Sequence, residues 1–270
     1  MIRIIIALFL LLFSINVQSQ ELFVYSEPAS NMPAHSLGMR LGSSIMTDRN
    51  PLHNTFMITP ELMYGISRNL MVHAEGILTD FNKRTELNGG ALYMKYRFYS
   101  NDEVHSHFRL AAYGRAAINK NPIHQQAIDL NGFNSGYELG LIGTKLINKV
   151  AISTGASFVH AGDNAGNKFI YGDNNRNALS YNLSVGKLFL PATYTDYRQL
   201  NVNGMIEALC QTNLNSGKTY IDLAPSVQFI ILSKMRVDLG YRFPLKNDLS
   251  RTMPRTFLVR LEYNIFNAFR

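Results

Sequence analysis

Hydrophobic and polar residues alternate with a period of two along most of the chain after residue 35. The last stretch, 256–269, shows this pattern most clearly, because apolar side chains recur at alternate positions with Asn267 as the one interruption. The positions between them are mostly polar and include Arg260 and Glu262. A period of two is that of a strand with one apolar and one polar face. At about ten residues or more, the segment is roughly twice as long as an ordinary globular strand.

The same alternation predicts twelve strands along the chain. One face of these strands is apolar, and the opposite face carries most of the charged residues. Strands of this kind are typical of a sheet that contacts lipid on one side. The predicted strands are 36–46, 55–66, 70–79, 90–99, 104–117, 136–147, 150–159, 178–190, 200–209, 219–231, 235–243 and 256–265.

The connections between the predicted strands are short and long in turn. Tight turns at one rim and long polar loops at the other are typical of transmembrane barrels. The fold predicted is therefore all-β: a transmembrane antiparallel up-and-down β-barrel over residues 35–270, with about twelve strands. An even number of strands sets both termini on the periplasmic, short-turn side. The short links are 67–69, 100–103, 148–149 and 233–234, with a longer one at 191–199, and the other links are 47–54, 80–89, 119–135, 160–177, 211–218 and 244–255.

Aromatic side chains gather near both ends of the predicted strands, as the headgroup girdles of a barrel do. The last strand has a further task, because it must pair with the first strand to remove two open edges. We therefore expect membrane insertion to depend on apolar residues of this strand and of the chain end. These residues are Phe257, Tyr263, Ile265 and Phe269.

The start of the chain is typical of an export signal. Arg3 precedes an apolar run over 4–13, and the segment 17–19 offers a cleavage site. The apolar run is shorter than the ~20 residues that a transmembrane helix needs. We therefore expect a signal peptide over 1–19, followed by a proline-punctuated periplasmic lead-in over 20–34.

Composition narrows the class further. The single cysteine, Cys210, excludes an intramolecular disulfide and a cysteine-rich metal site. No window after the signal offers ~18 uncharged apolar residues, which excludes a bundle of transmembrane helices. The net charge of +7 is modest and forms no basic stripe, so we expect no nucleic-acid partner. The expected anionic partners are outer-membrane lipids, including lipopolysaccharide.

The export signal, the twelve alternating strands and a final strand followed by Phe269 together resemble the outer-membrane β-barrel proteins of Gram-negative bacteria. The resemblance covers essentially the whole mature chain, and the composition and the segment 26–33 are most similar to uncharacterised barrels of the Bacteroidota. It implies an outer-membrane location and insertion by the barrel-assembly machinery. It transfers no catalytic motif and implies no cofactor. Arg270, after Phe269, departs from the terminal aromatic residue of the family.

The charged residues of the polar face would line the lumen, where they require water or mutual pairing. Counting from the loop centres predicts three cross-strand pairs: Asp238 with Arg260, Arg236 with Glu262, and Asp222 with Arg242. Such a lumen suits a narrow channel for a small polar or charged solute, or a structural surface barrel that internal salt bridges stiffen. The predicted lumen charges are Arg236, Asp238, Arg242, Asp222, Arg260, Glu262, Lys95, Arg97, Arg109, Arg115, Glu61 and Glu75.

Methionine and histidine side chains on the first three strands suggest an alternative function. Met46, Met57, Met63, Met71 and His73 all fall on the lumen face. Turn-centred pairing would set Met46 across from Met57, and Met63 across from Met71 or His73. Thioether and imidazole ligands suit monovalent copper, so soft-metal handling is the alternative to a channel, while methionine packing is the simpler interpretation.

Some barrels are lipid-cleaving or lipid-modifying enzymes, which need a serine or histidine at the membrane-facing rim with an orienting partner. His107 falls on the lumen face and Ser106 on the other, so they cannot act together. The one alternative is His160, which lies near Ser157 and Asp163 in sequence. We therefore expect a protein that is not an enzyme.

Overall fold

A computed structural model describes residues 23–47, 56–80, 85–103, 106–191, 196 and 198–269. The predicted signal peptide, 1–19, and the closing Arg270 lie outside these ranges. Twelve antiparallel strands of the described chain close into one barrel, with each strand paired to its neighbours in sequence and β1 paired to β12. The predicted fold class is thus confirmed. The strands are β1 Leu37–Met46, β2 Phe56–Gly65, β3 Leu70–Thr79, β4 Glu86–Glu103, β5 Ser106–Asn119, β6 Gly136–Ile147, β7 Val150–Ala161, β8 Asn177–Leu190, β9 Asn201–Asn213, β10 Thr219–Ile231, β11 Met235–Asn247 and β12 Thr256–Ile265.

Helical structure in the described ranges is limited to a short 3-10 turn, Asp173–Asn175. Among the residues that the structure describes, no helix is long and apolar enough to cross a membrane.

Several strands are longer than the sequence predicts. β4 covers Glu86–Glu103 instead of 90–99, and β11 continues to Asn247. Glu103 pairs with Ser106, and Asn247 pairs with Tyr220, beyond the region of apolar alternation. The strand ladder uses main-chain N–H and C=O groups, so it continues where the side chains have become polar.

The two faces of the wall differ sharply in exposure. Leu92 is 66% exposed, whereas its neighbours Ala91 and Tyr93 are 7% and 5% exposed. Because successive side chains of a strand point to opposite faces, Leu92 lies on the outer surface and its neighbours point inward. The outer face is apolar around the barrel, and the charged residues of the predicted polar face point inward.

The register of the last strands agrees with the prediction. Arg236 is the Cα partner of Glu262, and Asp238 is the partner of Arg260. β12 then closes the barrel against β1 over ten residue pairs, from Leu37 with Ile265 to Met46 with Thr256. The ring of Phe269 reaches back to that of Tyr64 on β2, at 5.7 Å between centroids.

Two other predicted registers are wrong. The Cα partner of Asp222 is Pro244, two residues from Arg242. The partner of Met57 is Ser44 instead of Met46. In both cases the observed pairs define a turn centre one residue away from the one that the prediction assumed. The bulge between Ile221 and Asp222 changes the pairing of β10 only beyond Asp222, from Ile221 with Lys246 onward. A shift of two keeps each side chain on its predicted face but changes its neighbour.

Two segments of the described chain occupy much of the barrel interior. One is residues 23–33, here called the N-terminal segment, which enters at the end where the short turns lie. The other is residues 120–134 between β5 and β6, here called the inner loop, which enters from the end where the long loops lie. Residues 23–33 of the predicted lead-in therefore lie inside the barrel. These residues contact inward side chains because the wall offers charged groups that complement their main chain.

Candidate functional site: the closed barrel interior

The strongest anchor of the N-terminal segment is Glu207 on β9, which is fully buried. Its carboxylate accepts backbone hydrogen bonds from Val24 at 2.9 Å, Tyr25 at 2.8 Å and Ser26 at 2.8 Å. The hydroxyl groups of Ser26 and Ser184 donate to the same carboxylate at 2.7 and 3.1 Å. Successive main-chain N–H groups form a concave site that suits an anion. Here the segment supplies that site and the wall supplies the charge.

Cations of the wall bind the carbonyl groups of the same segment. Lys95 Nζ donates to Pro28 O at 2.6 Å and to Ser30 O at 2.8 Å. Arg260 donates to Val24 O at 2.8 Å and to Phe23 O at 3.2 Å. Much of the main chain of the segment is therefore hydrogen-bonded to charged side chains of the wall and takes no part in a strand ladder.

An ion-pair network continues from Glu27 around the wall. Arg40 on β1 contacts Glu27 at 3.2 Å, Glu61 at 3.0 Å and Glu262 at 2.9 Å. Arg236 contacts Glu262 at 3.0 Å. Burial raises the pKa of Glu27, but Lys95 and Arg40 outweigh burial and hold that pKa well below its usual range. Glu27 thus remains ionised and paired at neutral pH.

The predicted pair of Asp238 and Arg260 belongs to this network. Arg260 Nη2 lies 2.7 Å from Asp238 Oδ2, and Arg236 Nε lies 3.1 Å from the same oxygen. Asp238 is fully buried. One carboxylate between two guanidinium groups balances charge in a place that water reaches poorly.

Glycines of the wall give the N-terminal segment its room. A Cβ on Gly240 would lie 2.8 Å from Cε2 of Tyr25, and a Cβ on Gly65 would lie 2.2 Å from the carbonyl oxygen of Pro33. Neither position accepts a larger side chain without a shift of the segment.

At the rim of the short turns, two further predicted lumen cations hold the segment and the turns. Arg109 donates to Ser30 Oγ at 2.9 Å and contacts Asp102 at 2.9 Å. Arg97 donates to the carbonyl oxygen of Arg68 at 2.9 Å. Both residues therefore form their contacts at the end of the barrel where the short turns lie.

The inner loop is held by side chains of β5 and β9. Ile128 N donates to Gln211 Oε1 at 2.8 Å, and Gln211 Nε2 donates to Ile128 O at 2.7 Å. Arg115 bonds to Asn131 of the loop and contacts Glu75 at 2.9 Å. The loop also buries apolar side chains against inward residues of the wall. This cluster comprises Ala91, Ala117, Ile123, Ile128, Leu130, Val159, Ala161, Phe169 and Ala178.

A third contact inside the barrel includes a residue that sequence reasoning missed. Arg251, from the loop between β11 and β12, pairs with Asp222, which also contacts Arg242 at 2.5 Å. The guanidinium of Arg251 lies 4.1 Å from the ring centroid of Tyr220. The predicted pair of Asp222 and Arg242 thus forms diagonally, although the two residues are not directly opposed. No periodicity points to Arg251, because it lies in a loop.

Two cavities within the described interior are small. One of about 80 Å³ lies near the short turns and is lined by Phe23, Glu27 and His73. Another of about 150 Å³ lies between Tyr25 of the N-terminal segment and Asp129 of the inner loop. Because a water molecule takes up about 30 Å³ of liquid volume, cavities of this size hold a few waters each. The described conformation is that of a closed barrel.

The residues of the predicted metal site lie in three places. Met63, Met71 and His73 line the cavity near the short turns. Met57 lies against the inner loop, where a Cβ on Gly132 would be 2.3 Å from its sulfur. Met46 pairs with Thr256 at the other rim. Among the described residues, no group of three or more His, Cys, Asp and Glu side chains is arranged to hold a metal.

The residues of the enzymatic alternative, Ser157, His160 and Asp163, do not come together as a catalytic group. Ser157 donates to Glu138 Oε1 at 2.6 Å, whereas His160 Nδ1 lies 2.7 Å from Asn177 Oδ1. Asp163 accepts from the backbone N–H of Phe169, which together with the Arg176 side chain lowers the pKa of that carboxyl group. Ser157 points into the lumen and His160 to the other face, so the three side chains have separate partners.

Comparison with known proteins finds similarity at the level of the fold. No protein-family model matches the sequence, and no curated protein matches it. The structure is similar to an outer membrane channel from Pseudomonas putida F1, with 12% identity, a TM-score of 0.53, and coverage of 90% of this chain and 99% of that chain. It is also similar to the NanC porin, with 10% identity, a TM-score of 0.50, and coverage of 84% and 97%. At such identities the likeness shows a shared closed β-barrel.

Proposed function

We propose that the protein is an outer-membrane channel for a small polar or charged solute, with both termini on the periplasmic side. The apolar outer face of the barrel and its charged interior support this function, since lipid covers the first and water or solute suits the second. Two solved structures with a similar fold are named as a channel and a porin, which supports the same class. Contact with lipopolysaccharide, insertion by the barrel-assembly machinery and the resemblance to Bacteroidota barrels remain predictions from the sequence.

The observation that carries this proposal is how the interior is closed. The N-terminal segment is not a strand, and it is bound to the wall by Glu207, Lys95 and Arg260 through hydrogen bonds. Such contacts can be exchanged for water without opening the strand ladder. The segment and the inner loop therefore act as gates, and conduction requires that they move.

A structural surface barrel is the competing function, and solute release from liposomes separates the two. Purified protein is inserted into liposomes that hold uncharged and charged solutes of increasing size. We expect slow release of the smallest solutes by the mature chain and faster release by a variant that lacks residues 20–33. If both folded proteins retain every solute, the barrel is structural.

Soft-metal binding is the second candidate function. Three of its five predicted ligands, Met63, Met71 and His73, line one cavity. This second candidate concerns a binding site in the wall, and it is independent of conduction.

A further inference from the structure

Three potential soft-metal ligands meet on the inner face of β2 and β3. Met63 on β2 is the Cα partner of His73 on β3, and Met71 precedes His73 by two residues on the same face. Directly opposed residues of antiparallel strands have Cβ atoms about 4.5–5.5 Å apart. The exposed fractions are 4% for Met63, 4% for Met71 and 3% for His73. All three side chains line the cavity of about 80 Å³ near the short turns.

The imidazole of His73 is oriented as a metal ligand would be. Its Nδ1 lies 2.5 Å from Oε1 of Glu61, while its Nε2 is buried and has no hydrogen-bond partner. Glu61 is itself fixed by Arg40 at 3.0 Å. Histidine ligands of metals usually donate the second ring N–H to a carboxylate, which fixes the tautomer and leaves the other nitrogen for the metal. A buried nitrogen without a partner is unfavourable unless a ligand completes it.

We propose that Nε2 of His73 and the sulfur atoms of Met63 and Met71 bind one monovalent soft-metal cation, Cu(I). Two thioethers and a neutral imidazole form an uncharged, soft ligand set, which favours Cu(I) over harder divalent ions. The carboxylate of Glu61 accepts a hydrogen bond from Nδ1–H of His73 and so holds the neutral tautomer that leaves Nε2 for the metal. The site goes beyond the proposed channel, because it lies in the wall and is complete while the interior is closed.

The N-terminal segment contributes to the same cavity. Met32 and Pro33 of that segment line it together with Phe266, so Met32 offers a further thioether on this side.

Copper binding by the full-length mature protein, refolded in detergent under anaerobic reducing conditions, tests the proposal. The protein competes for Cu(I) with a chromogenic chelator, and Ag(I) serves as a second probe that does not change oxidation state. We expect one bound Cu(I) per chain. The variant Met63→Leu with Met71→Leu should lose affinity by about tenfold or more, the scale on which even indirect partners of a metal act.

Met205→Leu is the matched control, because Met205 is an equally buried inward methionine, 3% exposed, that packs with Phe23 and Val24. Leucine keeps the volume of methionine, so each variant should fold and show the gel mobility of an intact barrel. His73→Gln tests the nitrogen ligand. X-ray absorption should show two sulfurs and one nitrogen around the metal in the wild type, and loss of the nitrogen in this variant. Absence of Cu(I) binding by the wild type, equal binding by the double variant, or an equal loss in Met205→Leu would overturn the proposal. Equally tight binding of Zn(II) would overturn its selectivity.

Discussion

Ser26 and Glu207 join the beginning of the described chain to the ninth strand by two hydrogen bonds. The backbone N–H of Ser26 lies 2.8 Å from Oε2 of Glu207, and its hydroxyl lies 2.7 Å from the same oxygen. A fully buried carboxylate is strongly unfavourable unless several hydrogen-bond donors compensate its charge, as they do here. The closed interior is therefore a specific arrangement, and its parts can be tested one by one.

Glu207→Gln should loosen the N-terminal segment. The amide NH₂ group would face the two donors of Ser26, so hydrogen bonds to a charged group, each worth about 1.5–3 kcal/mol, would be lost. We expect the exchange of amide hydrogens at residues 24–26 to become about 10–100-fold faster. Hydrogen–deuterium exchange of the detergent-solubilised barrel, read by mass spectrometry, measures this change.

Glu138→Gln is the control for that experiment. Glu138 is also an inward carboxylate, but its donors Tyr113 and Ser157 belong to the wall, each at 2.6 Å. Exchange at residues 24–26 should remain as in the wild type. Equal protection of these amides in Glu207→Gln would show that the segment is held by other contacts.

Arg260→Glu should destabilise the barrel strongly. It places a carboxylate beside the buried Asp238, whose contact with Arg260 is 2.7 Å, and it removes the donors to the carbonyls of Phe23 and Val24. A broken buried pair costs about 3–5 kcal/mol. The urea midpoint for loss of the folded band on a gel should fall accordingly. An unchanged midpoint would mean that these charges are separately hydrated in a wide lumen.

Asp238→Arg should restore part of that stability in the double variant. The opposite charges at 238 and 260 would be recovered, but the new arginine would face Arg236, which contacts Asp238 at 3.1 Å in the wild type. The bonds to Phe23 and Val24 would also remain lost. We therefore expect a midpoint between those of the wild type and Arg260→Glu. No recovery at all would show that positions 238 and 260 do not interact directly.

Loss of the chain end should reduce insertion. Deleting 265–270 removes the pair of Leu37 with Ile265 and the bond from Ala268 N to His35 O, which leaves the closing edge open. Phe269→Ala should have a smaller effect in the same direction. Phe189→Ala is its control, because Phe189 is 57% exposed and Phe269 is 55% exposed. The amount of folded protein in isolated membranes is the readout. Wild-type amounts of the truncated protein would show that β12 closes the barrel without this end.

Cell fractionation should place the protein in the outer membrane. A closed barrel keeps its shape in detergent, so an unheated sample should migrate anomalously on a denaturing gel, and heating should remove the difference. Recovery from the soluble periplasmic fraction would contradict the proposed location.

The barrel can be predicted from the sequence because lipid demands an apolar outer face. Residues such as Ala91, Leu92 and Tyr93 alternate for that reason, and the pattern identifies which side chains point inward. It does not fix which residue of the next strand lies opposite a side chain when the centre of the connection is misjudged by one residue. Met57 therefore lies opposite Ser44 and not Met46. Met63 lies opposite His73, which is one of the two partners, Met71 or His73, that the sequence predicts.

The internal segments could not be predicted from periodicity, since neither residues 23–33 nor the inner loop has any. A weaker signal was available. Glu207 is opposed across the strands by Ser184 and Ala224, so a buried charge stands opposite uncharged neighbours. An inward charge of this kind requires a partner from elsewhere in the chain, and a count of such charges points to a segment inside the lumen. The functional roles of the lumen charges remain predictions.

Single-channel recording in planar bilayers tests the gating proposal most directly. Three folded proteins are compared: the mature chain, a variant without residues 20–33, and a variant that also has 121–133 replaced by a short glycine–serine linker. We expect small and rare openings for the mature chain, more frequent openings for the first variant, and a large steady conductance for the second. A mature chain that is already a wide, steadily open pore would contradict the account, and so would a second variant as silent as the wild type.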